Sequence, residues 1–409
     1  MRLLVFSQYF WPESFRINDL VGSLVDSGVK VDVVTGKPNY PDGVVFSGYR
    51  LGGCVAETWK GASIHRVPLA PRGKNSGIRL ALNYLSFIVS AAVFGSWMLR
   101  RIKPDVVLVY ALSPILQALP ALLLARIKGC PLVLWVQDLW PESLEATGYV
   151  RNKMILGAVG KLVGFIYRHC DLILVSSRAF SPFVTSYAPH QVPVYYPNSV
   201  ENFYCDPESG SKPVVPALDE GFAVVFAGNL GAAQSMETLI DAAELLQEHR
   251  AIRFVILGAG SRLGWMQAEI ARRGLKNVFM AGRFPAEAMP FLLGKASALL
   301  VTLADRAIFA ATVPSKVQAY MAVGRPILAC LNGEGAELVT EARAGIAVPA
   351  ENSVALAAAT LSLYRLPVEE RAAMGINGRA YFQQQFDHQT LVAELIRHLK
   401  TTVDRGTKK

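Results

Sequence analysis

Short apolar runs rich in β-branched residues alternate with longer stretches of helical periodicity along most of the chain. Continuously apolar runs of this length predict strands buried on both faces of a parallel sheet, because crossover helices cover such a sheet. In the first half the predicted strands are 3–7, 29–35, 63–67, 105–109, 132–136, 171–175 and 192–195. In the second half they are 222–227, 253–257, 277–281, 298–301, 326–328 and 346–348. The pattern predicts an α/β chain with doubly wound parallel sheets.

The alternation is interrupted by a polar, proline-bearing stretch after Tyr196-Pro197-Asn198. We therefore predict a first α/β domain over 1–197, a linker over 198–220 and a second α/β domain over 221–385. A C-terminal helix within 386–409 is expected to pack back on the first domain. Ligands of doubly wound sheets bind outside the carboxyl ends of the strands, so we expect a site in a cleft between two facing domains.

Composition narrows the classes of partner. Of the 409 residues, 52% are hydrophobic and 18% are charged, and the net charge is +9. This positive balance suits a phosphorylated substrate, nucleic acid or an anionic membrane surface. The five cysteines show no C-x-x-C spacing, which argues against a disulfide framework or zinc ribbon. The apolar run near Met1 is too short for a signal peptide, so we expect a cytoplasmic location.

Two helical segments are unusually apolar. Residues 80–99 carry no charge and are followed by Arg100-Arg101-Ile102-Lys103. Their length permits a membrane span, but a crossover helix must pack on its own sheet. Residues 153–168 intersperse Lys153, Lys161 and Arg168 among apolar side chains, as in a helix lying on anionic lipid or in an ordinary crossover helix with a basic face. Together the two segments favour peripheral membrane association.

Two glycine-containing turns follow predicted strands in the second half. The first begins at Gly228-Asn229-Leu230-Gly231 and includes Gln234, and the second is Gly258-Ala259-Gly260. A turn that leads into a helix N-terminus offers backbone N–H groups to phosphate oxygens, although glycine also serves simply in tight turns. Neither turn is a full G-x-G-x-x-G, which disfavours a nicotinamide dehydrogenase.

The segment 312–326 predicts a helix that begins near Pro314-Ser315-Lys316 and ends at Gly324-Arg325-Pro326. Here Ser315 is positioned to cap the helix, and Lys316 to place an ammonium beside a bound diphosphate. A surface lysine on a capped helix is the simpler interpretation of the same residues.

Taken together, these motifs make the second half resemble the donor-binding domain of the retaining family 4 glycosyltransferases, which have the GT-B fold. The resemblance continues through Val278-Phe279-Met280-Ala281-Gly282-Arg283 and Tyr320-Met321-Ala322-Val323-Gly324-Arg325-Pro326. In the first half it includes Gln8-Tyr9-Phe10-Trp11-Pro12-Glu13, Thr35-Gly36-Lys37-Pro38-Asn39-Tyr40-Pro41 and Gln137-Asp138-Leu139-Trp140-Pro141-Glu142. These motifs resemble the WbuB-like, or fucosamine-transferase-like, branch that serves O-antigen and other surface-polysaccharide assembly.

The resemblance implies a donor site formed by seven residues: Gly228, Asn229, Gln234, Gly258, Arg283, Ser315 and Lys316. Two departures affect this site. Neutral amides, Asn229 and Gln234, stand where the family commonly has a basic pair, so Lys316 must supply more of the charge. The family's two glutamates correspond to Ala311 and Ala319, and Gln318 or a neighbour must then replace the ribose contact.

In the first half, Asp138 follows the strand 132–136, and we predict that it orients or deprotonates the acceptor hydroxyl. An Asx turn is the alternative role, and Glu142 is the second catalytic candidate. Five residues after the first two strands are predicted to contact the acceptor: Arg16, Asn18, Lys37, Asn39 and Tyr40. Alternatively, Arg16 and Asn18 line the diphosphate or belong to a helix surface, and the loop that carries the other three is a rigid proline turn.

The chain contains no D-x-D triplet and its histidines show no ligand spacing, so we expect no metal and no cofactor. We expect a metal-independent transfer of a sugar from a UDP-sugar to a lipid-diphosphate-linked saccharide at the inner face of the membrane, and the resemblance implies that this transfer retains the anomeric configuration. The resemblance suggests an N-acetylated deoxyhexosamine as the sugar, and nucleic acid is not needed to explain the charge. A nucleotide-sugar epimerase of the same fold and a catalytically silent donor-binding protein remain as alternatives.

Overall fold

Apolar runs form the strands of two sheets, and the chain divides into two units. The computed structural model describes residues 1–73, 77–146, 150, 152–204 and 211–406. The first unit is Met1–Pro197 together with Gln389–Lys409, and the second is Asn198–His388. Residues 205–210 of the predicted linker, which include Cys205, lie outside the described residues.

The first unit holds one sheet in the order β3-β4-β2-β1-β5-β6-β7-β8. Its strands are β1 (Arg2–Phe6), β2 (Lys30–Gly36), β3 (Val55–Trp59), β4 (Ala62–Val67), β5 (Val106–Ala111), β6 (Leu132–Val136), β7 (Leu172–Val175) and β8 (Val194–Tyr195). All neighbouring strands pair in parallel except β3, which pairs antiparallel with β4 at the edge. The strand order reverses direction between β1 and β5, and this switch point is where doubly wound sheets bind ligands.

The second unit holds a parallel sheet in the order β11-β10-β9-β12-β13-β14. Its strands are β9 (Phe222–Asn229), β10 (Ile252–Ala259), β11 (Val278–Gly282), β12 (Ala298–Thr302), β13 (Ile327–Cys330) and β14 (Gly345–Val348). Buried apolar side chains cover both faces of this sheet, as continuously apolar strands require. Its switch point lies between β9 and β12.

Helices cover the faces of both sheets. The helices of the first unit are Arg16–Asp26, Gly77–Ser90, Ser96–Met98, Ala118–Lys128, Glu142–Ala146, Lys153–Arg168, Ser181–Tyr187 and His388–Gly406. A π-helical turn, Ala91–Gly95, joins the second and third of these, and we call the continuous segment the 77–98 helix. The helices of the second unit are Met236–Leu245, Leu263–Arg273, Met289–Gly294, Ala307–Ala310, Ser315–Val323, Glu334–Glu341, Ser353–Arg365 and Val368–Gln385.

The predicted doubly wound α/β fold is confirmed, and each predicted strand overlaps an observed one. The sequence did not predict β3, because exposed Ala56 and Thr58 alternate with partly buried residues in this edge strand and Glu57 interrupts any apolar run. Val215 and Leu218 of the predicted linker are buried in the core of the second unit, so this stretch belongs to that unit rather than to a free connection. The His388–Gly406 helix buries Leu391, Leu395 and Leu399 in the core of the first unit.

Candidate active site

The turn after β9 requires glycine for two separate reasons. Gly228 has φ 135°, and a Cβ at this position would lie 2.7 Å from Cε of Lys316. A Cβ at Gly258 would lie 1.9 Å from the carbonyl oxygen of Gly228. The end of β10 therefore lies too close to the end of β9 for a side chain at Gly258. Lys316 likewise lies too close to β9 for a side chain at Gly228. The turn lies at the switch point of the second sheet, where Thr302 Oγ1 donates to the Gln234 carbonyl.

Lys316 lies against this turn without a carboxylate partner among the described residues. Its ammonium donates to Oε1 of Gln234 at 2.8 Å and lies 3.8 Å from the ring centroid of Phe226. Burial lowers the pKa of Lys316 to about 7, because removal from water disfavours the charged form of the ammonium. A diphosphate placed at the turn would supply the missing negative charge.

The other predicted donor residues take different positions. Ser315 is the exposed first residue of its helix, and Pro314 at the N-cap makes no side-chain cap hydrogen bond, so the predicted capping role of Ser315 is wrong. Asn229 is exposed at the turn. Arg283 is exposed just after β11, at the sheet edge and separated from β9 by β10. The structure therefore groups Gly228, Gln234, Gly258 and Lys316 and leaves Arg283 farther along the same edge.

The two alanines that replace the family's glutamates are both buried. Ala311 lies at the end of a short helix, and Ala319 lies inside the helix Ser315–Val323. Gln318, the predicted substitute, is buried as well, and its amide nitrogen donates to the Asn198 carbonyl at 2.9 Å. This backbone contact occupies the group that was expected to contact a ribose.

Asp138 lies where the sequence predicts, directly after β6, and it lines a cavity of about 800 Å³ in the first unit. The hydroxyls of Ser113 and Ser143 each donate to one of its carboxylate oxygens, and Trp140 Nε1 donates to Ser113 Oγ at 2.9 Å. Each oxygen keeps a second lone pair. The carboxylate is thus held in a fixed orientation at the cavity wall and can still accept a proton or a hydrogen bond.

Glu142 does not join Asp138 in this cavity. Its Oε1 accepts a hydrogen bond from the Tyr187 hydroxyl at 3.1 Å, and its Oε2 is buried. This hydrogen bond links the short helix Glu142–Ala146 to Tyr187.

Among the five predicted acceptor residues, Tyr40 lines the cavity, and Arg16 lies half-buried at the start of its helix. The remaining three do not line this cavity. Asn18 uses its amide to accept from Trp11 N–H and to donate to the Glu13 carbonyl. Its amide therefore holds the first strand-to-helix turn in place.

Lys37 and Asn39 are buried and do not line the cavity, so their predicted contact with an acceptor stays a prediction. Asn39 donates to the Lys37 carbonyl at 2.9 Å and accepts from the backbone N–H of Arg72 at 3.1 Å. Lys37 is 1% exposed, and burial lowers the pKa of its ammonium. Both residues shape the loop after β2.

Sequence reasoning missed two charged residues of this region as site residues. Buried Glu13 accepts from the backbone N–H groups of Asn39 at 2.8 Å and Tyr40 at 2.7 Å, and burial raises the pKa of its carboxyl despite these bonds. It thereby fixes the loop that carries Tyr40. Arg72 lines the cavity together with Tyr9, and it can be recognised as a candidate site residue only from the three-dimensional structure. No local motif surrounds it in the sequence.

Among the described residues, no group of three or more His, Cys, Asp or Glu side chains is placed to hold a metal ion.

Comparison with known proteins identifies the class of this chain. Residues 14–194 match the family model "Glycosyl transferase 4-like domain", and residues 221–365 match "Glycosyl transferases group 1". WcaI of Escherichia coli K12, a protein named for glycosyl transfer in colanic acid biosynthesis, is 27% identical over 339 residues, which cover 79% of this chain and 82% of WcaI. WbjE of Pseudomonas aeruginosa, which is named as a probable glycosyltransferase, is 27% identical over 293 residues. These residues cover 68% of this chain and 71% of WbjE.

Solved structures show the same fold at low sequence identity. Sucrose-phosphate synthase of Thermosynechococcus elongatus superposes with a TM-score of 0.74 at 15% identity, covering 98% of both chains. HepE of Anabaena, solved in complex with UDP, gives 0.67 at 16% identity, covering 98% of this chain and 100% of HepE. With residues 14–194 and 221–365 matched by glycosyltransferase models and its fold shared with these solved structures, the chain belongs to the glycosyltransferases of the GT-B fold.

Proposed function

We propose that this glycosyltransferase transfers a sugar from a UDP-sugar to a hydroxyl of a lipid-diphosphate-linked saccharide during surface-polysaccharide assembly. The observation that carries the donor half is the Lys316 ammonium, which lies against the Gly228 turn with an amide oxygen and a ring face as partners. The UDP complex of HepE and the polysaccharide role in the name of WcaI support the donor and the pathway class.

In the proposed reaction the acceptor oxygen forms a bond to the anomeric carbon while the bond from that carbon to the diphosphate breaks. The hydroxyl proton passes to Asp138, and the nucleoside diphosphate leaves with its added negative charge stabilised by Lys316 and backbone N–H groups. Retention of configuration and independence from metal are part of this proposal and rest on the family resemblance. An N-acetylated deoxyhexosamine is the first donor sugar to test, because of the fucosamine-transferase-like motifs.

The 77–98 helix supports association with the inner face of the membrane. By length and composition alone this helix could cross a bilayer. However, its Asn83 is fully buried, accepts from Gln8 Nε2 at 2.7 Å and donates to the Ala70 carbonyl at 2.7 Å, which fixes the helix to its own sheet. The opposite face exposes an apolar stripe at helical spacing: Ile78, Leu82, Leu85, Val89, Val93 and Trp97. A peripheral location explains a fixed helix with such a face.

Sedimentation with vesicles tests this location. Vesicles that contain anionic lipid are expected to bind the wild-type protein, and Val93→Glu with Trp97→Glu is expected to abolish binding because both side chains are exposed. Ile376→Glu, an exposed apolar residue of the second unit, is the matched control and is expected to bind normally. Equal binding of all three proteins would contradict the membrane assignment.

Product analysis tests the reaction. The purified protein is incubated with a panel of UDP-sugars and lipid-linked oligosaccharides extracted from cells lacking the gene, and mass spectrometry is expected to detect a lipid product lengthened by one sugar. Epimerised free sugar in the absence of acceptor would instead indicate an epimerase.

The buried alanines at 311 and 319 favour a second candidate, a catalytically silent donor-binding protein. Measurable UDP binding with no lengthened product from any donor and acceptor pair would support it over transfer. Lys316→Ala is the background control for both UDP binding and product formation, because this variant lacks the cation proposed to bind the diphosphate of the donor.

A further inference from the structure

A second groove of the first unit lies between the helix Lys153–Arg168 and the helix Ser181–Tyr187. It has a volume of about 520 Å³ and shares no lining residue with the cavity described above. Three glycines at helical spacing, Gly157, Gly160 and Gly164, line the side formed by the longer helix. A Cβ at Gly157 would meet no atom within 4 Å. The groove is therefore open above the surface of this helix and has room for a small ligand.

Two cationic side chains, Lys161 and Arg168, line this groove. Lys161 forms no ion pair or hydrogen bond with a described residue. Arg168 donates to the Tyr187 carbonyl at 3.0 Å, and its guanidinium keeps further N–H donors. Among the described residues that line the groove none is Asp or Glu, and Glu142, which accepts from the Tyr187 hydroxyl, is not a lining residue. Two such cations favour an anion with several oxygens, such as a phosphate group.

The outward face of the helix Lys153–Arg168 is apolar. Met154 is 84% exposed and Phe165 is 39% exposed, and together with exposed Ala158 they recur at the spacing of one helix face. Lys161 lies seven residues after Met154 and four before Phe165, so it borders this face. A helix of this kind lies in a membrane interface with its apolar face at the acyl chains and its cations at the level of the lipid phosphates. The groove is therefore placed where lipid headgroups lie.

The positive charge of the chain is concentrated around this helix. Residues 58–170 contain fourteen Lys and Arg and four Asp and Glu, a net charge of +10, whereas the whole chain carries +9. The helix Ala118–Lys128 packs against both this helix and the 77–98 helix, and it adds exposed Leu123 and Ile127 to the same region. A basic surface that carries exposed apolar side chains matches an anionic membrane better than a soluble phosphate compound. The source of the anion is therefore a lipid.

We propose that this groove binds the headgroup of an anionic phosphodiester lipid of the phosphatidylglycerol type. Lys161 and Arg168 bind the phosphate. The Ser186 hydroxyl, which lines the groove and donates to the Phe183 carbonyl, accepts a hydrogen bond from a glycerol hydroxyl. A headgroup that carries an ammonium, such as that of phosphatidylserine, is disfavoured because the two cations repel it and no described lining residue is a carboxylate.

This inference rests on the membrane location in the proposed function and adds to it a lipid preference with a site of its own. The apolar stripe of the 77–98 helix supplies affinity for any membrane, because burial of apolar side chains does not depend on the headgroup. The groove supplies discrimination between headgroups of equal charge. The two contributions can therefore be measured separately.

Sedimentation of the full chain with phosphatidylcholine vesicles that contain equal fractions of phosphatidylglycerol or phosphatidylserine tests the preference. Both anionic lipids carry one negative charge, so attraction to surface charge alone predicts equal binding. We expect the wild-type protein to bind the phosphatidylglycerol vesicles about five-fold more tightly. Lys161→Gln should remove most of this preference. Lys103→Gln removes the same charge from an exposed position outside the groove and should keep it.

The outcomes separate the groove from the membrane location. Equal binding of the wild-type protein to both kinds of anionic vesicle would overturn the groove assignment and leave the proposed location standing. Failure to bind any anionic vesicle would defeat the location itself and the groove with it.

A second pair of variants fills space without removing charge. Gly157→Leu places a side chain in the open groove, and leucine favours the helix more than glycine does. We expect this variant to bind both kinds of anionic vesicle equally, and its retained binding to phosphatidylserine shows that it is folded. Ala158→Leu, on the outward face and outside the groove, should keep the preference. A preference that survives in Gly157→Leu would overturn the site.

Calorimetry with inorganic phosphate separates a lipid site from a site for a soluble anion. We expect no saturable binding of micromolar phosphate, because a free anion lacks the support of the membrane surface. Saturable phosphate binding that Gly157→Leu abolishes would show that the groove takes a free phosphate group, and it would overturn the lipid assignment.

Discussion

The two units place a cation at the same topological point of their sheets, but they surround it differently. In the second unit Lys316 lies against backbone, an amide and one ring face, in a turn shaped by Gly228 and Gly258. In the first unit Arg72 lies among tyrosines in a large apolar cavity. The first arrangement is built for a polar diphosphate held by main-chain groups, and the second for an anion attached to a hydrophobic body.

The choice of lysine or arginine adds a functional difference. Burial brings the pKa of Lys316 to about 7, so its charge depends on pH and on what binds beside it. Arg72 stays charged at every physiological pH. We therefore expect donor binding to respond to pH more strongly than binding in the cavity, and the predictions below separate the roles of the two units.

The largest effect is expected from Asp138→Asn in the first unit. Loss of the base should lower kcat by about 10²- to 10⁴-fold, since the amide cannot take the acceptor proton. UDP affinity should stay unchanged, because Asp138 belongs to the other unit. Steady-state kinetics and UDP calorimetry measure the two effects. A variant with wild-type kcat would remove Asp138 from the mechanism.

Lys316→Ala should have the next largest effect, this time on the second unit. The variant loses a charge-assisted contact with the diphosphate, and UDP affinity should fall by about ten- to a hundred-fold. Lys276→Ala, an exposed lysine of the same unit, controls for the change in net charge. If both variants bind UDP as tightly as wild type, the cation at the turn is not a donor group.

Gly228→Ala tests the shape of the donor turn rather than its charge. Its added Cβ would meet Cε of Lys316 at 2.7 Å, in a backbone conformation that alanine rarely adopts. We expect UDP affinity to fall by about ten-fold through displacement of Lys316. Gly264→Ala, in a helix with open space around it, should leave UDP affinity at the wild-type value. Equal affinities of the two variants would show that the turn does not position the donor.

Two of the candidate residues of the second unit are easy to find together in the sequence because they are local. Gly228 and Gln234 lie within one turn, and Lys316 follows a recognisable helix start. The first unit gathers Tyr9, Arg72 and Asp138 from distant segments, and no spacing in the sequence reports that they meet. Asn39 looked like a ligand residue because polar loop residues often are, yet its hydrogen bonds hold the loop together.

The strands were predicted well because burial on both faces leaves an unbroken apolar run, whereas the half-exposed β3 has none. The predicted N-cap, Ser315, lies one residue after the observed N-cap, Pro314, because the exact start of a helix is the least certain part of such a pattern.

A smaller effect is expected from pH on donor binding. Lys316 has a pKa of about 7 without ligand, and a bound diphosphate raises that pKa, so binding takes up a proton. UDP affinity should therefore fall by about five-fold from pH 7 to pH 8 and continue to fall toward the pKa of the complex. Calorimetry in buffers of different ionisation enthalpy detects the proton uptake. Binding of the lipid-linked acceptor should change less over this range, and an identical pH dependence at both sites would contradict the difference between lysine and arginine.

The smallest effect is expected from Glu142→Gln, which is compared with Asp138→Asn in the same unit. Glu142 accepts a hydrogen bond from Tyr187 and does not line the cavity that Asp138 lines, and a glutamine oxygen can accept the same bond. We therefore expect kcat to change by less than about two-fold, against the large loss in Asp138→Asn. Parallel kinetics of the two variants, with thermal unfolding to confirm that both are folded, measure the contrast. A comparable loss of kcat in Glu142→Gln would mean that the acceptor reaches beyond the cavity and that both carboxylates serve the reaction.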